Sequence, residues 1–214
     1  MLVNLSLKNS LVNRFVAEMR DVNQQTDRMR FRRNMERLGE ICAYEISKEL
    51  DYREQGITTP LGIAHMQLPI DEPVVATILR AGLPLHQGIL NYFDKADNAF
   101  ISAYRYHHRD HSFEVKVEYA SCPPLEGRTL IIADPMVATG TSLVLSYKAL
   151  LQYGQPAQVF VVTAIGSEAG IAYVKKNIPG AKIFAAAIDA ELTAKAYIVP
   201  GLGDAGDLAF GEKK

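Results

Sequence analysis

Four short apolar runs, at 74–79, 129–133, 159–165 and 182–188, are nearly continuous rather than alternating. A strand with one wet face alternates with period two, so runs of this kind predict strands buried on both faces of a parallel sheet. Each is followed by a glycine-containing turn and a longer amphipathic stretch, the rhythm of βαβ units, which places helices over both faces. A length of 214 residues, with 48% apolar and 22% charged side chains, suits one packed domain and excludes a disordered chain or a coiled-coil rod.

The other segments arrange themselves around this core, taken as about 60–195 of a single domain spanning 1–214. From 10 to 50, Phe31, Met35, Leu38, Ile41 and Tyr44 recur at helical spacing, predicting two helices split near 21–26. Their density of charge gives residues 1–55 the look of a peripheral layer. Residues 100–106 and 113–119 alternate and are separated by a polar stretch at 107–112, which predicts an antiparallel hairpin projecting beside the sheet. From Tyr197 onward, four glycines between Gly201 and Gly211 make the chain too irregular for helix or sheet, leaving a frayed end or a binding loop.

Composition narrows the function. Lys and Arg total 23 against 24 Asp and Glu, a net charge of -1, so no broad electrostatic footprint recruits nucleic acid or an anionic membrane. Cys42 and Cys122 stand far apart without C-x-x-C or Cys/His spacing, which argues against a disulfide framework or zinc site and for a reducing, cytoplasmic setting. Residues 1–15 lack the apolar run of a signal peptide, and 159–165 is far shorter than the roughly 18 residues of a membrane span.

The strongest local motif is Leu130-Ile131-Ile132-Ala133-Asp134-Pro135-Met136-Val137-Ala138-Thr139-Gly140-Thr141-Ser142, followed by an amphipathic run at 143–153 and Gly154 as a helix stop. A buried strand enters a loop that opens a helix, where unpaired backbone N–H groups and the positive helix end attract a phosphate. Small residues allow close approach, and Thr139, Thr141 and Ser142 add hydroxyls. No Gly-Lys-Ser/Thr and no G-x-G-x-x-G is present there, so nucleoside triphosphates and dinucleotides are poor candidates. The plainer alternative is a Ser/Thr cap after a βα turn. Asp134, at the carboxyl end of a parallel strand where ligands of open α/β sheets bind, points to sugar hydroxyls or a metal.

This segment resembles the phosphoribosyltransferase family, and its Asp-Pro-Met-x-Ala-Thr-Gly form is similar to the uracil phosphoribosyltransferase branch. Two further segments carry the resemblance: Ile78-Leu79-Arg80-Ala81-Gly82, like the family's pyrophosphate loop, and Tyr197-Ile198-Val199-Pro200-Gly201-Leu202-Gly203-Asp204-Ala205-Gly206-Asp207, like its uracil-binding signature. The resemblance runs from about Phe31 to Phe210 and implies an α/β fold of the type I phosphoribosyltransferase kind. Such a fold has a parallel sheet core flanked by helices, a β-hairpin arm and a small hood from the terminal segments. The implied reaction joins uracil to phosphoribosyl pyrophosphate, giving UMP and pyrophosphate, with Mg²⁺.

Carried onto this chain, the resemblance implies catalytic roles for Asp134, Arg80 and Asp204. Phosphoribosyl pyrophosphate is expected on Arg80, Ala81 and Gly82, on Asp134, Pro135, Met136, Val137, Ala138, Thr139, Gly140, Thr141 and Ser142, and on Asp204. Uracil is expected on Ile198, Gly203, Asp204 and Ala205, in the C-terminal loop at 197–211. A pyrimidine dione offers alternating acceptors and a donor that backbone groups of a glycine-rich loop can pair. Mg²⁺ would be held mainly by the substrate's pyrophosphate, with Asp204 as the side-chain candidate.

The chain departs from the family at two places. The phosphate-binding arginine of the hairpin has two candidates, Arg105 after a tyrosine and Arg109 before an acid, and the residues alone leave both open. The neighbouring His107, His108 and His111 read as polar turn residues rather than a metal site. The tail continues Asp207-Leu208-Ala209-Phe210-Gly211-Glu212 where the family carries a basic residue after the aspartate. Arg28, Arg30, Arg32, Arg33 and Arg37 form a basic cluster that reads as a solvated helix face, or as a site for a nucleotide effector such as GTP or for a partner subunit. A homodimer or higher homo-oligomer is expected from the family. Rival readings on the same core are an RNA-binding regulator, against which the absence of paired acids and the net charge weigh, and a transferase for another base.

Overall fold

The computed structural model describes residues 1–107 and 113–212. The chain opens with β1 (Leu2–Asn4), α1 (Leu11–Arg20) and α2 (Arg28–Ser47), followed by a hairpin of β2 (Tyr52–Thr59) and β3 (Gly62–Pro69). Next come β4 (Val74–Leu79), α3 (Leu83–Leu90), β5 (Asp97–His107), β6 (Phe113–Ser121), β7 (Thr129–Ala133), β8 (Met136–Val137) and α4 (Thr141–Leu150). The chain then forms β9 (Gln158–Ser167), α5 (Glu168–Asn177), β10 (Lys182–Asp189), β11 (Glu191–Leu192), β12 (Ile198–Val199) and α6 (Ala205–Phe210).

The four apolar runs are β4, β7, β9 and β10, neighbours in a sheet of order β1-β10-β9-β7-β4-β5-β6. All pairings in it are parallel except β5 with β6, and β8 adds a short parallel pairing to β9. Alternate residues serve opposite faces, which explains the continuous apolar runs. Val75, Ile131, Phe160, Val162 and Phe184 face one core, and Val74, Ala76, Leu130, Ile132, Val161 and Ile183 face the other. The second face is covered through Leu143, Val144 and Leu150 of α4 and Ile171 and Val174 of α5.

Three sequence expectations are corrected. First, α2 is a core helix, not a peripheral one. Phe31 is 1% exposed, Met35, Leu38 and Ile46 are fully buried, and with Val12, Val16 and Met19 of α1 they cover the first face of the sheet. The arginines that give the segment its surface look sit on the opposite side of the same amphipathic helix. Second, the hairpin at 100–119 is not beside the sheet, because β5 pairs β4 in parallel from Val74↔Asp97 to Leu79↔Ser102 and β6 forms the sheet edge. Third, the tail has structure: β12 pairs antiparallel with β11, and Asp204 caps α6 by accepting from the N–H groups of Gly206 and Asp207.

One element has no counterpart in the sequence expectations. β2 and β3 form a separate two-stranded ribbon around Pro60 and Leu61, with every residue of β2 exposed. Its strands mix Glu, Gln and Gly with isolated apolar residues, so neither periodicity nor a continuous run marks it.

Candidate active site

Sheet order decides where a ligand can sit. From β4 the chain crosses through α3 to β5 on one side, and from β7 it crosses through α4 to β9 on the other. Between β4 and β7 the loops therefore diverge, opening a crevice at the carboxyl ends of the strands. Thr77 of β4 pairs with Ala133 of β7, so the segments beginning at Arg80 and Asp134 leave the sheet side by side.

On the β7 side, the loop reaches α4 through Gly140, whose φ of +76° is left-handed. No side chain caps α4, which rejects the plain Ser/Thr-cap reading and leaves the first-turn N–H groups without a side-chain acceptor among the described residues, apart from a 3.4 Å contact of the Thr141 N–H with Thr139 Oγ1. The Thr139 and Thr141 hydroxyls lie 3.0 Å apart. Behind the loop, Ser167 Oγ donates to the Ala138 carbonyl and accepts from the Gly170 N–H at 2.8 Å. A Cβ on Gly140 would stand 2.8 Å from the Gly170 carbonyl oxygen, so the loop lies flat on α5. Pro135, Met136 and Val137 contribute backbone: the Pro135 carbonyl accepts from the Ile165 N–H at 3.0 Å, β8 is Met136–Val137, and the Val137 side chain is buried.

Asp134 is half-buried at the start of this loop, and its carboxylate accepts one hydrogen bond, from the Met136 N–H at 3.4 Å. Burial pushes its carboxyl up to about 7, and that single bond opposes the shift only weakly. A carboxyl divided between its two forms near neutral pH can accept sugar hydroxyls and hold negative charge beside a developing cation.

On the β4 side, the Leu79–Arg80 peptide is cis, and a Cβ on Gly82 would overlap Thr77 Oγ1 and the Ile78 carbonyl oxygen. Arg80 Nη2 bonds Asp207 Oδ1 at 3.3 Å and the Gly211 carbonyl at 3.2 Å. Arg80 Nε and Thr77 Oγ1 are buried without a hydrogen-bond partner among the described residues, an uncommon state for polar atoms beside a crevice.

The C-terminal segment closes over the same place. A Cβ on Gly206 would lie 3.8 Å from Arg80 Nη2 and 3.9 Å from the Ala81 Cβ, which brings the base-loop candidates against the pyrophosphate-loop candidates. Ile198 and Ala205 are buried, Gly203 has a φ of +97°, and both capping bonds of Asp204 land on Oδ1, at 2.8 and 3.0 Å. Arg80 and Ala81 thus meet the segment that follows Asp204 and Ala205, at Gly206, Asp207 and Gly211, with the segment from Asp134 to Ser142 leaving the neighbouring strand end. Arg109 lies outside the described residues, as do the side chains of Arg105, His107, His108 and His111. Among the described residues no three His, Cys, Asp or Glu side chains group as a metal site. Cys42 is buried with its thiol pushed up to about 12, so no activated nucleophile is found there.

Two groups important to the site were not marked in the sequence. Arg20 makes a bidentate pair with Asp189, and both bond Gly201 within the base loop. Asp189 ends an apolar strand with an acid just as Asp134 does, and that shared signal could have found it. The basic cluster is largely structural: Arg32 donates to the Ala209 carbonyl at 2.7 Å, Arg33 pairs with Glu36 at 2.6 Å, and Arg37 stacks on Phe15.

A phosphate cradle, a carboxylate and an arginine loop around a parallel-sheet switch point define a phosphoribosyltransferase of type I fold. The uracil phosphoribosyltransferase family profile matches residues 6–212, and the chain belongs to that family. It is 51% identical to a uracil phosphoribosyltransferase of Porphyromonas gingivalis over 99% of this chain and 98% of that one. It is 38% identical to one of Thermococcus gammatolerans, over 92% of this chain and 87% of that one. A solved structure of an Aquifex aeolicus protein superposes with a TM-score of 0.87 at 29% identity, covering 99% of this chain and 98% of that one. Among the described residues no helix is long and apolar enough to cross a membrane.

Proposed function

We propose that this chain transfers the phosphoribosyl group of phosphoribosyl pyrophosphate to uracil, forming UMP and pyrophosphate as a step of pyrimidine salvage. The observation that carries the reading beyond family membership is the Nε of Arg80, buried beside the base loop and without a hydrogen-bond partner among the described residues. Pyrophosphate oxygens would satisfy it with a charge-assisted bond. The α4 N-terminus with Thr139, Thr141 and Ser142 takes the 5′-phosphate, and that remote binding energy orients the sugar carbon. Backbone groups at Ile198, Gly203 and Ala205 read the uracil edge.

As uracil N1 bonds the sugar carbon, the bond to pyrophosphate breaks, the carbon becomes cation-like, charge moves to the leaving group, and the N1 proton passes to the departing pyrophosphate. Asp134 accepts the ribose hydroxyls and faces the positive centre, while Arg80 draws the leaving oxygens. Asp204 keeps its Oδ1 on the α6 cap, leaving its other oxygen to face substrate. With Asp134 and Asp204 too few for a protein-only cage, the donor set fits Mg²⁺ brought by the substrate, with Asp204 as its protein contact. When bound, Mg²⁺ neutralises charge on pyrophosphate.

The same proposal includes a cytoplasmic homodimer or higher homo-oligomer, GTP as an effector as in some members of the family, and no nucleic-acid partner. On the β2–β3 ribbon and its turn Leu61 is 99%, Ile63 70% and Met66 50% exposed, and a lone ribbon is at best marginal in water, so a second copy covering it would explain its apolar side chains. Leu61→Glu with Ile63→Glu should lower the sedimentation mass to that of a monomer. The central test is UMP formation from labelled uracil, phosphoribosyl pyrophosphate and Mg²⁺, with cytosine, orotate, hypoxanthine and adenine as competitors and GTP as an addition. Uracil-specific product supports the reading, and product from another base alone overturns it.

A further inference from the structure

We infer that the Arg20–Asp189 pair, remote from the reacting atoms, positions the backbone that recognises the base and so sets affinity and selectivity for uracil. The inference rests on the functional reading above. Asp189 is the last residue of β10, and from it the chain makes an excursion through β11 and β12 that returns at Gly201. The excursion is shut at its base by one hydrogen-bonded ring. The Gly201 N–H donates to Asp189 Oδ2 at 2.9 Å, and Arg20 Nη1 donates to the Gly201 carbonyl at 3.0 Å and to Asp189 Oδ2 at 2.7 Å. Arg20 Nη2 completes a bidentate pair with Asp189 Oδ1 at 2.8 Å.

Both polar groups of the Gly201 backbone are therefore held, and held by a pair that is itself mostly out of water, the side chains being 22% and 8% exposed. Gly201 has a φ of +56°, and a Cβ on it would overlap the Ile198 carbonyl oxygen, so the turn is wound tightly against one base-loop residue and stands two before another, Gly203. Burial would push the Asp189 carboxyl up, but Arg20 and the Gly201 N–H outweigh it and hold the group below its ordinary range, as a lasting ion pair requires.

Arg20 is the last residue of α1, whose Val12, Val16 and Met19 are anchored in the core. The ring thus fastens the base loop to the body of the domain through a contact spanning 169 residues of sequence. Uracil and cytosine differ where an acceptor is replaced by a donor, and backbone groups can reject the wrong pattern only if they cannot turn aside. A loosened loop would lose both affinity and that rejection, while the phosphate cradle on α4 and α5 is fastened separately by Ser167.

The test compares Asp189→Asn and Arg20→Lys with the wild-type chain in steady-state kinetics, varying uracil and phosphoribosyl pyrophosphate separately and competing uracil with cytosine. The expected result is a rise of about tenfold in KM for uracil, equivalent to about 1.4 kcal/mol, with KM for phosphoribosyl pyrophosphate within about twofold and weaker discrimination against cytosine. Retained thermal protection by phosphoribosyl pyrophosphate checks that each variant is folded, and Arg20→Lys, which keeps the charge, carries the comparison if Asp189→Asn does not fold. A wild-type chain that makes no UMP overturns the functional reading and this inference with it. An active wild type whose variants raise both KM values together, or neither, overturns the inference alone.

Discussion

Replacing Asp134 with Asn removes one ionisation with little change of shape, and the surroundings of the carboxyl set what stability should do. Burial raises the group from 3.8 to about 7. Between those values the folded chain keeps a proton that the unfolded chain has released, so stability falls as pH rises. The stabilising contribution of the neutral acid is complete below about pH 4 and gone above about pH 7. Full conversion of the displacement corresponds to about 4 kcal/mol, and the solvent access of a half-buried carboxyl reduces this to about 2 kcal/mol. The Asn variant carries no such penalty. Its stability should exceed that of the wild type by about 2 kcal/mol near pH 8, roughly 4–8 °C in Tm for a chain of this size, and by less near pH 5.

Activity should run the other way. On the proposed mechanism the ionised carboxylate faces the cation-like sugar, so wild-type kcat/KM should climb with pH through about 7, and the variant should lose about a hundredfold together with that step. Urea unfolding of both ligand-free proteins at several pH values, beside initial rates at the same values, makes the comparison. Groups such as Asp189 and Glu36, whose carboxyls are held low by their partners, titrate equally in both proteins and cancel in the difference. A difference in stability that stays flat or shrinks with rising pH refutes the reasoning.

Gly140→Ala puts a side chain at a φ of +76° and within 2.8 Å of the Gly170 carbonyl, so it should cost about 1–2 kcal/mol or more and raise KM for phosphoribosyl pyrophosphate more than KM for uracil. Calorimetry and two-substrate kinetics check both parts. Arg80→Ala should lower kcat by about a hundred- to a thousandfold in rapid-quench turnover. It should also speed amide exchange in α6, because Arg80 holds both Asp207 and the Gly211 carbonyl.

Much of the parallel core was legible because burial on both faces leaves a direct imprint on composition. β4 and β7 have the predicted bounds, and β9 and β10 run one to two residues beyond them. The same logic fails where burial is one-sided or absent. α2 hides a core stripe beneath surface arginines, and the exposed β2–β3 ribbon has no pattern for a solvent-driven argument to find. α6 was missed for another reason: six residues with two glycines nearby carry little propensity, and the cap at Asp204 with an acid at Asp207 was its one local signal. The candidate site's segments could be picked out in the sequence where motifs are contiguous. The Arg20–Asp189 pair could not, because nothing local joins residues so far apart in sequence.

That division has a physical origin. The motifs name the groups proposed to face substrate, yet each of the three loops is also held by residues outside its own motif. Ser167, from the end of β9, pins the cradle through the Ala138 carbonyl. Thr77, with the Ala133 carbonyl, leaves room at Gly82 for hydrogen alone, which fixes how closely the arginine loop approaches the sheet. Arg20 and Asp189, from α1 and β10, grip the base loop at Gly201. A misplacement of about 1 Å can cost about a hundredfold in rate, so loops built from glycine, alanine and threonine must borrow their rigidity from elsewhere. The supports come from the ends of β4, β9 and β10 and from the end of α1, and each touches a single loop. Damage to one should therefore appear in the kinetics of one substrate at a time, whereas Asp134 and Arg80, on the proposed mechanism, act on the transition state common to both.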